Sequence, residues 1–348
     1  MSKRIFYWDN LKYLLITFVV LGHFIDPLTD GNSYARRVFL FIYSFHVPLF
    51  VFISGVFYSS NNLKAKVLFY IYTGFAMKAL NLLSNVLIRG MRPHFELLGD
   101  KAAPWYLFSL AAFMIIRYIL RDINKWFGLG FALILGCYIG YDASIGDSFY
   151  LSRILVFFPF YMAGSMVDPD NFPKRIKEKW WYYLAALCVI VLLFYSCNYQ
   201  IHRLYKYRHL LTGRNPFSES VLTYGFFARL GCYTVSTFVG LSVMILTPCM
   251  KLPLISVWGR STLCVFFWHK FFYYLFERFT PMFWLFNYGV GGMVIYMIIA
   301  AALTALLSAI KWFSFPIKQI QKLCYWSADK NRSSFKTEFV DRNMKEMN

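Results

Sequence analysis

Acidic residues are scarce in this chain. Its 348 residues include 17 Asp and Glu against 36 Lys and Arg, and the four types together make up 15% of the sequence. A soluble globular domain carries nearer one quarter, so an ordinary water-facing surface is excluded. Cysteine is sparse and dispersed: Cys137, Cys188, Cys197, Cys232, Cys249, Cys264 and Cys324 form no CxxC pair, and most lie in apolar runs. That pattern excludes a disulfide framework and a thiolate zinc centre, and leaves small buried hydrophobes. No GxGxxG or Walker pattern is present, and neither is an HExxH motif or a Ser/His/Asp set. A nucleotide-binding loop, a zinc-protease site and a covalent acyl-serine route therefore have no footing. No internal repeat stands out. Short alternating segments are also missing, which argues against a β-barrel.

What is present is apolar length. The chain is 59% hydrophobic and 21% aromatic, with long apolar runs from end to end. The fold class is all-α, a polytopic membrane protein in the lipid bilayer. Ten transmembrane spans are predicted, at residues 11–25, 38–58, 67–88, 104–120, 126–141, 149–167, 180–197, 221–246, 254–276 and 290–312. Gly128, Gly130, Gly136 and Gly140 weaken the fifth, and Pro159 predicts a kink in the sixth. The first run ends in Asp26-Pro27 without a small-residue cleavage site, so it reads as a retained helix rather than a signal peptide.

The net charge of +19 does not point to nucleic acid, because the cations cluster in short loops and the tail. Placing both termini in the cytoplasm puts Lys3, Arg4, Lys64, Lys66, Arg121, Lys125, the Lys174–Lys179 run and Lys251 inside, as the positive-inside bias requires. The expected location is the inner (plasma) membrane, multi-pass. A polar tail of mixed charge, residues 327–348, follows the membrane domain and is expected to be disordered or surface-bound. One outer loop breaks the bias with His202, Arg203, Lys206, Arg208, His209 and Arg214. It reads either as a solvated loop or as a basic lip for an anionic acceptor or lipid diphosphate.

Chemistry must then come from polar residues inside the spans, where titratable groups are expensive and mark function. Lys12 and His23 stand eleven positions apart in the first span. Eleven residues make about three helical turns, so both fall on one face, about 16 Å apart. His46 precedes Pro48, which removes the backbone donor to the Ser44 carbonyl and predicts a kink beside the imidazole. His269 is the third His in apolar context. The three need not share one depth, which disfavours a single metal site. Among embedded cations, Arg37 and Arg117 lie near span ends and are expected to snorkel. Lys78, Arg153 and Arg229 lie deeper, and the two arginines are expected to face the interior, paired with carbonyls or a bound anion. Asp9 and Glu277 are the embedded carboxylates, and Asp9 with Lys12 also reads as a helix-start ion pair.

Several blocks in chain order resemble the acyltransferase-3 family, in particular its fucose 4-O-acetylase-like branch. Arg4…Trp8-Asp9-Asn10-Leu11-Lys12 running into Gly22-His23 resembles that family's first helix, a basic residue, ten intervening residues and then His. Phe45-His46-Val47-Pro48-Leu49-Phe50…Ser54-Gly55 is similar to its second block, with Val47 in place of Met. Pro104-Trp105-Tyr106-Leu107, Arg153 with Phe158-Pro159-Phe160-Tyr161 and Gly164, and Gly259-Arg260-Ser261-Thr262-Leu263 leading to His269 resemble later segments.

The resemblance implies an acyltransferase domain over residues 1–326 and an acyl-CoA donor, acetyl-CoA by default, used from the cytoplasmic side. It implies transfer to a hydroxyl of a cell-envelope glycan or its lipid-linked precursor. His23 takes the role of general base, since a sugar hydroxyl needs one and imidazole titrates near working pH. His46 is its partner. Lys12, Arg153, Asp9 and Asn10 are assigned to the donor, and no metal is required. The family often carries Arg where this chain has Lys12, which keeps the charge without the bidentate fork. A transporter or flippase for a glycan or lipid-linked intermediate is the alternative, with a structural or assembly role behind it. Fold alone does not choose among them.

Overall fold

The structure, a computed structural model, describes residues 5–93, 96–99 and 103–327. The predicted polar tail falls outside these from residue 328 on. All regular structure among the described residues is helical. The major helices are α1 (Phe6–Ile25), α2 (Ser33–Tyr43), α3 (His46–Val56), α4 (Leu63–Leu87), α5 (Trp105–Ile119), α6 (Lys125–Tyr138), α7 (Leu151–Gly164), α8 (Trp180–Tyr199), α9 (Gly225–Leu246), α10 (Thr262–Phe279) and α11 (Gly289–Ala309). Each of the ten predicted spans carries helix. Six helical stretches are long and apolar enough to cross a membrane. The others are shorter or more polar: the 14 residues of α6 and of α7 rise only about 21 Å, against a hydrocarbon core of about 30 Å.

The second span is two helices, and Pro48 explains the break. Without its N–H, the Ser44 carbonyl loses its intrahelical donor. The chain turns at Ser44-Phe45, with Phe45 at φ −141° and ψ −25°. Ser236 Oγ of α9 donates to the Ser44 carbonyl at 2.5 Å. The freed acceptor is thus satisfied from a neighbouring helix, as a buried backbone group requires.

α1 lies at the centre, packed against α2, α3, α10 and α11. Around it α3 packs on α7, α4 on α5, α6 on α7, and α8 on α9. The α3–α7 crossing is backbone against backbone. A Cβ at Gly55 would collide with the Tyr161 carbonyl, and one at Gly164 with the Phe52 carbonyl. Small residues permit such close crossings between membrane helices. On the outside, α8 buries only Ala186 and Cys197, which suits a helix solvated by lipid.

Interior cations are anchored. Arg229, 0% exposed, donates to the Leu210 carbonyl at 2.5 Å and to Asn215 Oδ1 at 3.1 Å, so the expectation of an inward arginine paired with carbonyls holds. Lys78 Nζ reaches the Glu96 and Leu97 carbonyls and the Tyr150 hydroxyl at 2.6–2.9 Å. Arg117 departs from the snorkelling expectation. It is buried, bonded through Nε to Ser165 Oγ at 3.0 Å, with its guanidinium over the Tyr58 ring. A hydroxyl on a distant helix offers it an interior partner that chain position does not reveal. Glu277, at the end of α10, pairs with Arg89 beyond α4 at 2.9 Å.

Candidate active site

One cavity of about 670 Å³ runs through the helices. Its wall along α1 is formed by Asp9, Lys12, Ile16, Val19, His23 and Asp26. These positions are spaced three or four apart, the repeat of a single helical stripe. From Asp9 to Asp26 the stripe rises about 25 Å, nearly the hydrocarbon thickness of a bilayer. The cavity therefore connects the two ends of the bundle.

The first mouth is cationic and aromatic. Lys12 Nζ sits 4.1 Å from the Phe57 ring centroid, and Lys66 Nζ donates to the Ser59 carbonyl at 3.0 Å. Arg260 and Tyr325 complete it. Gly259 lies so close to the Asp9 carbonyl that a Cβ there would overlap it, which draws Arg260 to the start of α1. The second mouth, at the far end of α1, is lined by Asp26, Trp105, Arg153, Thr212 and Arg214.

Between them the waist holds His23, His46, Tyr43, Phe50, Ser54, Tyr106 and Phe266. The Ser54 and Tyr106 hydroxyls are 3.1 Å apart. His46 is buried, its Nδ1 donating to the Ile42 carbonyl at 2.8 Å and its ring edge-on to Tyr43 at 4.6 Å. His269 stands behind His23, with ring centroids 5.0 Å apart and planes at 30°. Its Nδ1 faces the Phe266 and Val265 carbonyls at 2.8 and 3.2 Å. A carbonyl only accepts, so the bond assigns the proton of each neutral imidazole to Nδ1 and leaves Nε2 as the basic nitrogen. Nε2 of His269 is buried without a hydrogen-bond partner.

Five of the six residues assigned from the sequence, His23, His46, Lys12, Arg153 and Asp9, share this cavity, but Arg153, assigned to the donor with Lys12 and Asp9, stands at the second mouth, away from them. Asn10 does not line it. Its Nδ2 donates to the Pro248 and Met250 carbonyls at 3.0 and 2.9 Å, and its Oδ1 accepts from Ser256 Oγ at 2.6 Å. Its side chain is committed to tying α1 to the 248–256 segment. Of the three His whose depths the sequence left open, His269 and His23 meet ring to ring. Among the described residues no group of three or more His, Cys, Asp or Glu is placed to hold a metal ion. Sequence reasoning named His269 but gave it no role, offered Lys66 either as a catcher of CoA phosphates or as an ordinary inside-loop cation, and missed a role for Arg260 and the Ser54–Tyr106 pair. The Ser-Gly and Trp-Tyr blocks already held the last two.

The acyltransferase-3 family model, an acyltransferase domain, matches residues 5–313. The chain belongs to that family and is a membrane acyltransferase. Neither the curated proteins nor the solved structures contain a match to it.

Proposed function

We propose that this enzyme moves an acyl group, acetyl by default, from acyl-CoA at the Lys12 mouth to a hydroxyl of a cell-envelope glycan or its lipid-linked precursor entering from the Asp26 mouth. The observation that carries this reading is the single cavity joining the two mouths with His23 between them. Placing the Lys12 mouth in the cytoplasm of an inner (plasma) membrane, with both termini inside, agrees with the charge bias of the loops.

The residues at the first mouth fit the donor. Lys12, Lys66 and Arg260 offer three cations to its phosphates, and Phe57, Tyr58 and Tyr325 offer ring surfaces. When bound, acyl-CoA supplies the acyl group as a thioester. His23 takes the proton from the acceptor hydroxyl as its oxygen bonds to the acyl carbon, and the proton returns to the departing thiolate. His269 stacks on the His23 ring and fixes its orientation from behind. His46 holds one tautomer beside them, and the Ser54–Tyr106 pair presents hydroxyl dipoles where negative charge develops on the acyl oxygen.

The test uses purified protein in lipid with radiolabelled acetyl-CoA, following CoA release and label transfer with and without envelope glycan extract. Glycan-dependent release that His23→Ala abolishes supports the reading. Full transfer by folded His23→Ala protein overturns the role of His23.

A further inference from the structure

The second mouth is assembled by two segments distant in sequence. Ser152, at the start of α7, donates to the Gly213 carbonyl at 2.6 Å. Arg153 and Arg214 each adjoin one partner of that bond, and both side chains line the cavity. Arg153 is 3% exposed, with its guanidinium 4.9 Å from the Trp105 ring centroid. Arg214 has a buried Nε without a hydrogen-bond partner.

The segment carrying Arg214 is fixed from within. Buried Arg229 holds the Leu210 carbonyl, the Asn215 side chain and, at 3.5 Å, the Arg214 carbonyl itself. Burying a guanidinium is expensive, and here one is used to set the backbone of a connecting loop. Two acids stand nearby: Asp147 pairs with Arg153 at 3.5 Å, and Asp26 lines the same mouth within electrostatic reach of Arg214. The same connection carries Arg203, Lys206 and Arg208, of which Arg208 lies within electrostatic reach of Asp26.

We propose that Arg153 and Arg214 form a phosphate-binding subsite for the acceptor, so that the acyl group goes to a sugar carrying phosphate or diphosphate rather than to a neutral glycan. This rests on the reading that the acceptor enters at the second mouth. Two guanidinium groups offer planar, bidentate donors matched to phosphate oxygens. The buried Arg214 Nε has no hydrogen-bond acceptor, and a phosphate oxygen satisfies it with a charge-assisted bond that a neutral sugar does not offer. The phosphate arrives either as a lipid diphosphate or on a water-soluble headgroup.

The experiment measures binding without any donor, so it does not depend on acyl transfer. Full-length protein in phosphatidylcholine nanodiscs is titrated with farnesyl diphosphate, farnesol and inorganic pyrophosphate. Variants are Arg214→Gln, Arg214→Lys and Lys66→Gln. Farnesyl diphosphate is expected to bind at least tenfold more tightly than farnesol. Arg214→Gln is expected to weaken it at least tenfold, Arg214→Lys to restore part of the loss, and Lys66→Gln to leave it unchanged. Competition by pyrophosphate identifies the headgroup alone as the recognised unit; its failure to compete identifies the lipid-linked form. Equal affinity for farnesol, or wild-type affinity in folded Arg214→Gln protein, overturns the proposal. So does a loss that follows Lys66→Gln instead, which would put the diphosphate at the donor mouth. If Arg214→Gln does not fold, wild-type affinity in Arg214→Lys together with equal farnesol binding overturns it equally.

Discussion

Replacing Gly55 or Gly164 by Ala tests whether the α3–α7 crossing holds the active site in register. At Gly55 the added Cβ overlaps the Tyr161 carbonyl oxygen and stands 3.0 Å from the Ser165 nitrogen; at Gly164 it overlaps the Phe52 carbonyl oxygen and stands 3.0 Å from the Val56 nitrogen. Both obstacles are backbone, so no side-chain rotation relieves them. The helices must part by about 1 Å, a gap that forfeits a quarter to a half of each contact across the seam. Val51, Ile53, Phe158, Tyr161 and Met162 are all buried near it. Overpacking of this kind costs about 1–3 kcal/mol. Once one alanine has opened the crossing, the second meets less resistance. The double variant is therefore expected to lose less than the sum of the singles by about 1 kcal/mol, the coupling normal for residues sharing one contact. Ser54 adjoins Gly55 and Ser165 adjoins Gly164, so the Ser54–Tyr106 and Arg117–Ser165 bonds stretch as well, and turnover falls with stability. The assay is denaturant unfolding in mixed micelles beside CoA release. Wild-type stability in either single variant, or strict additivity in the double, refutes the reasoning.

In CoA-release measurements His23→Ala is expected to lower turnover by about 10²–10⁴, the usual contribution of a positioned general base. His269→Gln keeps a ring-sized polar group but no titrating nitrogen; it is expected to lower turnover less and to shift the pH–rate profile, which a merely structural residue would leave in place. Arg229→Ala leaves the Leu210 and Arg214 carbonyls without their donor, at about 1–3 kcal/mol for each buried group left unpaired; thermal unfolding reads that loss, and the acceptor KM rises as the loop loosens. Asn10→Ala removes three hydrogen bonds between α1 and the 248–256 segment and lowers stability by a similar amount, with the donor KM rising only through displacement of Arg260.

The stripe on α1 was legible because helical periodicity alone puts Lys12 and His23 on one face, and the structure extends that face to Asp9 and Asp26. The break at Ser44 was legible because proline chemistry is local. What stayed hidden depends on how distant helices rotate against one another. His269 meets His23 across two helices, and loop charges fix which end of a helix faces which side without fixing the azimuth of its side chains. Arg117 looked like a terminal cation because its partner, Ser165, lies far along the chain. Asn10 sits in the same motif as Asp9, yet one step along a helix turns a side chain by about 100°, away from the cavity and into the 248–256 segment.

A passage lined from one face of a membrane to the other threatens the ion gradient the membrane maintains. This one is flanked by Lys12, Lys66 and Arg260 at one end and by Arg153 and Arg214 at the other, with Phe50, Tyr106 and Phe266 between them. Fixed positive charge at both ends, in excess of Asp9 and Asp26, raises an electrostatic barrier to protons and metal cations, as it does in water-selective pores. The charges proposed to attract anionic substrates would thereby let such a chamber reach across the bilayer without becoming a cation leak.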